Sequence, residues 1–414
     1  MKDIVRDTYI NLLTNEQTLS YLVKRHPWAN DYCYYYLYVL YARREIIEKL
    51  LDSIIDDDKN KATLEKAYHY LAKFEQQQLK LATIIPTCNR AKSIKYLLEV
   101  TALGHRRRGV DIIIYDSSSN DDTEKVVRRV QASGYLNVKY IRYKGVFDGF
   151  SLDHKIINAY KEFQDYYDYL WICRDGLIPI IDEIFDKIIY YKQKSIECII
   201  VDTKSRNYGF EIEQYYSKKE DCCKFLLDQA TRLQTLGMLI LSSNFTRYLI
   251  NNIPLDDKTY SLWQMASPFH AFVKKEYKVV FFTKNVFAAN IMASTTHFWS
   301  KADKLFEQWT YRWVNVIKNL PSDYDSAKSN CMMIYTIDFH PFSVGAVMKM
   351  RAYGGLNFTI LNKYSSYLPL VTETPSWYIY TICFIPKLLA KLIMLIGYQN
   401  KSLADKIMKK ISRR

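Results

Sequence analysis

The chain has 414 residues, carries a formal charge of +14, and is 49% hydrophobic. The length exceeds one ordinary domain, the apolar share excludes a globally disordered chain, and 12 glycines with 10 prolines exclude collagen-like or linker-rich architecture. The positive balance favours anionic partners, but no zinc-finger spacing or nucleic-acid module accompanies it, so nucleic acid ranks below phosphorylated substrates and anionic lipid.

Residues 1–78 read as an N-terminal helical domain, with helical spacing of apolar positions through Tyr38–Leu51 and Leu64–Phe74 and a polar break at Asp56–Asn60. These helices are candidates for contact with a second copy or a partner chain. The opening Met1–Asp7 lacks the apolar stretch of a signal peptide, and the eight cysteines include no Cys-x-x-Cys pair. The expectation is a reduced, cytoplasmic protein. Adjacent Cys222 and Cys223 read as ordinary helix thiols, with a metal or disulfide role as the alternative.

From residue 79 the texture changes. Short apolar runs at Leu81–Pro86, Val110–Tyr115, Val138–Arg142, Asp168–Cys173 and Glu197–Asp202 read as strands. Helical patterns at Ala91–Val100, Asp121–Gln131 and Ser151–Phe163 separate the first four. This alternation predicts an α/β domain with a mostly parallel sheet flanked by helices. Ligands in such sheets bind at the carboxyl ends of the strands, here Pro86–Arg90, Asp116–Ser119 and Arg174–Gly176. The predicted domain runs over 79–350, with one half at 79–203 and another at 204–350. The second half is expected to hold helices at Phe225–Leu236, Asn244–Asn251, Thr259–Ala266 and Phe306–Asn319 and a strand at Val279–Phe282.

Residues 351–414 read as a basic amphipathic region. Leu388, Leu389, Leu392, Ile393 and Ile396 fall on one side of a helix, with Lys387 and Lys391 on the other. From Lys387 to the end there are eight Lys/Arg and one acid, Asp405. Pro386 and the lysines count against a spanning helix, so the expectation is an interfacial helix on anionic lipid. The alternative is a helix packed on the protein's own core.

Two strand ends carry a resemblance. Thr83-Ile-Ile-Pro-Thr-Cys-Asn-Arg90, then Asp111-Ile-Ile-Ile-Tyr-Asp-Ser-Ser-Ser-Asn-Asp-Asp-Thr123, each followed by a helix, resemble the family 2 glycosyltransferases over about residues 80–180. The resemblance implies a GT-A fold, Rossmann-like, and transfer of a sugar from a nucleoside-diphosphate sugar. It implies donor binding by Pro86, Thr87, Asn89, Arg90, Asp116 and Ser118, with Asp153 and Lys155 on the helix that approaches the donor. Cys88 replaces the family's usual aromatic, and Ser117 and Ser118 replace its second Asp and its Gly. Read without the resemblance, Thr87 and Asn89 suit a capped strand-to-helix turn, Arg90 suits phosphate, and Asp153 and Lys155 suit a solvated helix face.

The family's metal motif is Asp-x-Asp, whose carboxylates hold Mg2+ or Mn2+ on the diphosphate. Here Tyr169–Pro179 supplies only Asp175, with Cys173 or Leu177 at the partner position. A divalent cation held by Asp175 and completed by phosphate oxygens is the expectation, with Arg174 or Lys155 replacing part of its charge as the alternative. An inverting member also needs a carboxylate base. Asp257 is the first candidate, then Asp256, with His297 near its working pKa. The register equally permits Gln264 at the base position, and helix capping explains Asp256–Asp257 as well.

The expected function is therefore an inverting glycosyltransferase in surface polysaccharide biosynthesis. It would use a nucleotide-sugar donor, expected to be a UDP-sugar, and a glycan or lipid-linked acceptor, as a peripheral protein at the inner face of the cell membrane. A catalytically degenerate scaffold in a membrane complex is the non-enzymatic alternative. A sugar nucleotidyltransferase ranks lower, because Pro86–Arg90 contains no glycine.

Overall fold

The computed structural model describes residues 79–145, 151–202, 212–253, 262–275, 277–284, 286–293, 302–333 and 341–396. The expected helical domain over 1–78, the base candidates Asp256, Asp257 and His297, and the basic tail beyond 396 lie outside the described residues.

β1 (Leu81–Thr87) is buried at every position, as an apolar run covered on both faces requires. α1 (Ala91–Arg107) follows and then β2 (Asp111–Asp116), α2 (Asp122–Ala132), β3 (Val138–Arg142), α3 (Ser151–Phe163) and β4 (Tyr169–Ile172). The strands lie in the order β3-β2-β1-β4, all parallel. In this register Thr87 lies beside Asp116, and Asp116 beside Arg142. The carboxyl ends of three neighbouring strands therefore open on one edge.

The rest of the sheet is mixed. β5 (Leu177–Pro179), α4 (Phe185–Gln193), β6 (Cys198–Val201), β7 (Glu213–Tyr216), α5 (Cys222–Leu233), β8 (Leu239–Ser242), α6 (Ser243–Asn252), α7 (Trp263–Phe272), β9 (Val279–Phe282) and β10 (Phe287–Ala289) follow. β8 enters antiparallel between β4 and β6, β9 pairs parallel with β6, and β7 closes the edge antiparallel. β5 and β10 form a separate antiparallel pair. At the start of α5, the Cys222 and Cys223 thiols both reach the Asp323 carbonyl at 3.4 Å.

α1 is bound to β1 through a buried histidine. Ile94, Leu97, Leu98, Thr101, Ala102 and His105 form its buried stripe at helical spacing. His105 is fully buried; its Nε2 meets Thr83 Oγ1 at 3.1 Å and its Nδ1 meets the Thr101 carbonyl at 3.0 Å. A neutral ring satisfies this site, with Nδ1–H donating to Thr101 and Nε2 accepting from Thr83. Burial lowers its pKa to about 4 from 6.5, against the opposing pull of the Thr101 carbonyl. The unfolded chain therefore takes up a proton as pH falls through 6.5, while the folded chain does not until about 4. Stability from this neutral site is present above pH 6.5 and is lost over that window, by about 1.4 kcal/mol per pH unit. His105→Gln should lack that slope, so the stability gap between wild type and variant should shrink from pH 7 to pH 4 in denaturant titrations.

The C-terminal helices Ser376–Phe384 and Lys387–Ile396 meet at a 109° bend. No single described helix is long and apolar enough to cross a membrane. Within Lys387–Ile396 only Ala390 is buried, while Leu388 is 81% and Leu395 61% exposed. The apolar side of this helix is thus not packed on the protein's core. Trp377 and Phe384 in the preceding helix are also exposed.

Candidate active site

The loop after β1 and the loop after β2 are tied together. Asn89 takes a left-handed backbone, φ 53°, which asparagine tolerates better than most residues. This turns its amide N–H to Ser118 Oγ at 2.7 Å, and its Oδ1 accepts from the Ser119 amide at 3.2 Å. Cys88 stays exposed, with its thiol 3.5 Å from the Ser117 carbonyl.

Asp116 organises the second loop from inside. Its carboxyl is fully buried and accepts from the Ser118 amide at 2.9 Å, from the Ser118 hydroxyl, and from Tyr140 Oη at 3.0 Å. Arg142 Nη1 lies 4.0 Å from the same carboxyl and donates to the Ser118 carbonyl at 2.6 Å. Burial, then the bond to Asp116, holds the Tyr140 hydroxyl proton well above its usual range. The carboxylate expected to grip the nucleotide thus shapes the loop through internal partners.

Lys155 lies between the two loops. Its Nζ donates to the Thr87 carbonyl at 2.6 Å and to Ser117 Oγ at 2.9 Å. Burial lowers its pKa to about 8, opposed by the charges of Asp116, Cys88 and Asp175. The ammonium is therefore still mostly charged at neutral pH, where the two strand ends meet.

Asp175 completes the cluster. Its Oδ2 accepts from Thr87 Oγ1 at 3.0 Å and its Oδ1 pairs with Arg90 Nη1 at 2.8 Å. Its backbone carbonyl accepts from Ser93 Oγ at 3.1 Å and Asn290 Nδ2 at 2.8 Å. Asn290 also reaches the Ser93 carbonyl at 2.9 Å, so the end of β10 fixes the turn that presents Asp175. Cys173 is fully buried and Leu177 sits inside β5, so neither position beside Asp175 offers a second exposed oxygen. Among the described residues no three His, Cys, Asp or Glu side chains come together as a metal-binding group.

The structure brings Thr87, Asn89, Arg90, Asp116, Ser118, Lys155 and Asp175 to one edge, with Pro86 buried in the strand just before them. Asp153 goes elsewhere. Its Oδ1 accepts from the Trp263 amide at 3.1 Å, capping α7 from α3. Burial raises its pKa to about 7, against the pull of the Trp263 amide and of Arg312. Reading the sequence missed Tyr140, Arg142, Ser93 and Asn290. Arg142 carried a signal, since it ends the predicted third strand as Asp116 ends the second; Asn290 carried none.

Residues 82–151 match the family model described as Glycosyl transferase family 2. A search of curated proteins finds no matching sequence. Among solved structures, S. aureus TarS is similar at 12% identity and TM-score 0.43, over 73% of this chain and 52% of that one. The chain thus spans about half the length of that TarS chain. Mannosyltransferase PcManGT from Pyrobaculum calidifontis, in complex with GDP-Man and Mn2+, is 14% identical at TM-score 0.42, over 80% and 94% of the two chains. Glucosyl-3-phosphoglycerate synthase from Mycobacterium tuberculosis, in complex with Mn2+, UDP and phosphoglyceric acid, is 13% identical at TM-score 0.38, over 61% and 83%. At such values these likenesses assign no role to any residue.

Proposed function

We propose, from the match of residues 82–151 to the family model described as Glycosyl transferase family 2, that the chain moves a sugar from a nucleoside-diphosphate sugar to a hydroxyl acceptor with inversion. The observation that carries this reading is the tied pair of loops at Thr87–Arg90 and Asp116–Ser119, inside the matched segment and at the carboxyl ends of adjacent parallel strands. That is where such sheets hold nucleotides. The site is also rich in cations: Arg90, Lys155 and Arg174 stand within or beside it, suited to a diphosphate.

In the proposed reaction the acceptor hydroxyl loses its proton to a base and its oxygen bonds to the anomeric carbon. The bond from that carbon to the diphosphate oxygen breaks, and the nucleoside diphosphate leaves with the electron pair. Asp257 is the proposed base, with Asp256 and His297 as the other candidates from the sequence. The donor nucleotide is proposed to be UDP, and the acceptor a glycan or lipid-linked glycan of a surface polysaccharide. The test is turnover: incubation with a panel of UDP- and GDP-sugars should release nucleoside diphosphate above the rate of an Asp116→Ala variant.

A peripheral site at the inner face of the cell membrane is proposed from the C-terminal helices. The exposed apolar side of Lys387–Ile396 adjoins Lys387 and Lys391, which suits anionic lipid. Leu388→Asp with Leu392→Asp should reduce co-sedimentation with phosphatidylglycerol vesicles by about tenfold or more, from the apolar area withdrawn from lipid. Equal sedimentation of wild type and variant would remove this part of the proposal.

A second reading, a scaffold that binds a nucleotide without turnover, is favoured by one observation: both carboxylate oxygens of Asp175 are already engaged by Thr87 and Arg90. Intact nucleotide binding with no turnover on any donor would support it.

A further inference from the structure

The donor set at Asp175 does not suit a divalent cation, and we infer that Arg90 supplies there the positive charge that such a cation would bring, so that a nucleoside diphosphate binds without metal. This deepens the donor reading above and rests on it. Mg2+ and Mn2+ are hard cations that collect about six oxygen ligands. Of the two carboxyls at this edge, Asp116 is fully buried on Ser118 and Tyr140, and Asp175 is 6% exposed, with Oδ1 on the Arg90 guanidinium and Oδ2 on the Thr87 hydroxyl. The residues two before and two after it are a buried thiol, Cys173, and a buried leucine, Leu177.

A cation arriving at Asp175 would have to displace both partners. It would then sit beside the charge of Arg90 and close to Arg174, whose guanidinium lies near enough to Arg90 to be repelled by it. Arg90 itself is well placed to meet a diphosphate. Its side chain is 47% exposed while one nitrogen is held by Asp175, so the planar guanidinium is oriented without being consumed. Ser93 and Asn290 fix the backbone of Asp175, which makes the orientation of the pair rigid. Lys155, unlike Arg90, is buried, and adds a second positive charge at the Thr87 carbonyl.

The experiment has two arms on the full chain. In the first, UDP and GDP are titrated calorimetrically with millimolar Mn2+ or with EDTA. The expected dissociation constants agree within about threefold; a weakening of about tenfold or more in EDTA overturns the inference. Arg90→Met should weaken binding by about tenfold in EDTA, with Mn2+ restoring part of it through the freed carboxylate. In the second arm, Mn2+ binding is followed by electron paramagnetic resonance with no nucleotide present. Wild type should leave the free-ion signal unchanged at sub-millimolar protein. Wild-type binding of Mn2+ that is lost in Asp175→Asn overturns the inference, whether or not any nucleotide binds. Failure of both nucleotides to bind in the first arm would instead strike the donor reading, and the Mn2+ arm still decides on the cation.

Discussion

Asp116→Ala is expected to abolish nucleotide binding and to destabilise the fold by about 1–3 kcal/mol for each buried partner left without its acceptor. The carboxyl is fully buried and holds four donors from three residues: the Ser118 amide and hydroxyl, the Tyr140 hydroxyl and, at longer range, Arg142. Alanine leaves Tyr140 and Ser118 without their acceptor, while Arg142 keeps Asp121 at 2.6 Å and Glu124 at 3.6 Å. Ser118 in turn receives the Asn89 amide, so the loss passes to the first loop. Asp116→Asn retains Oδ1 for Ser118 but places an amide near Arg142, and about 1–3 kcal/mol is expected for the mismatched bond. Denaturant unfolding of the two variants, with calorimetric titration of UDP, checks both values. An alanine variant as stable as wild type would mean that Asp116 does not organise this edge.

Asp153→Asn is expected to act in the opposite direction. The folded carboxyl has a pKa of about 7 against 3.8 for the free group, and burial is the main cause. Below pH 3.8 both states are protonated and the site is at its most favourable. As pH rises from 3.8 the unfolded chain loses its proton first, and stability falls until the folded group ionises at about 7. Three pH units correspond to about 4 kcal/mol, an upper bound for the gain on removing the charge. Asparagine keeps an oxygen for the Trp263 amide, now 3.1 Å from Oδ1. The variant should therefore be more stable than wild type at pH 8 and similar to it near pH 4. A variant less stable at pH 8 would contradict the account of this site.

Asp153 and His105 work against one another. Between pH 4 and 6.5, stability linked to His105 rises with pH while that linked to Asp153 falls, each with a slope near 1.4 kcal/mol per unit. The two nearly cancel in wild type, and each single variant should unmask the slope of the other.

Much of the sheet was legible because local and tertiary signals agreed. β3, β9 and α3 have the bounds their hydrophobic patterns predict, Val138–Arg142, Val279–Phe282 and Ser151–Phe163. β8 was not legible: Leu239–Ser242 is a four-residue apolar run whose periodicity cannot separate strand from buried helix. Its place between β4 and β6 is set by long-range pairing, which is why the expected mostly parallel sheet has antiparallel neighbours there. α1 runs seven residues past its predicted end at Val100, because His105 finds its partners in Thr83 and Thr101.

The site divides in the same way. Thr87, Asn89, Arg90 and Asp116 were readable because each ends or follows a strand of the matched segment. Asp153 and Lys155 read as one functional pair, but two residues apart on a helix they point about 200° away from each other. Lys155 accordingly faces the strand ends and Asp153 faces α7. Asn290 reaches Ser93 across 197 positions in sequence, a distance over which local pattern carries no information.

Calorimetric titration of the full chain with UDP and GDP decides whether the edge formed by Thr87–Arg90 and Asp116–Ser119 holds a nucleoside diphosphate. Saturable binding of at least one of them is expected, in the micromolar-to-millimolar range, with its loss in Asp116→Ala. No binding of either nucleotide to the folded wild-type chain would contradict it.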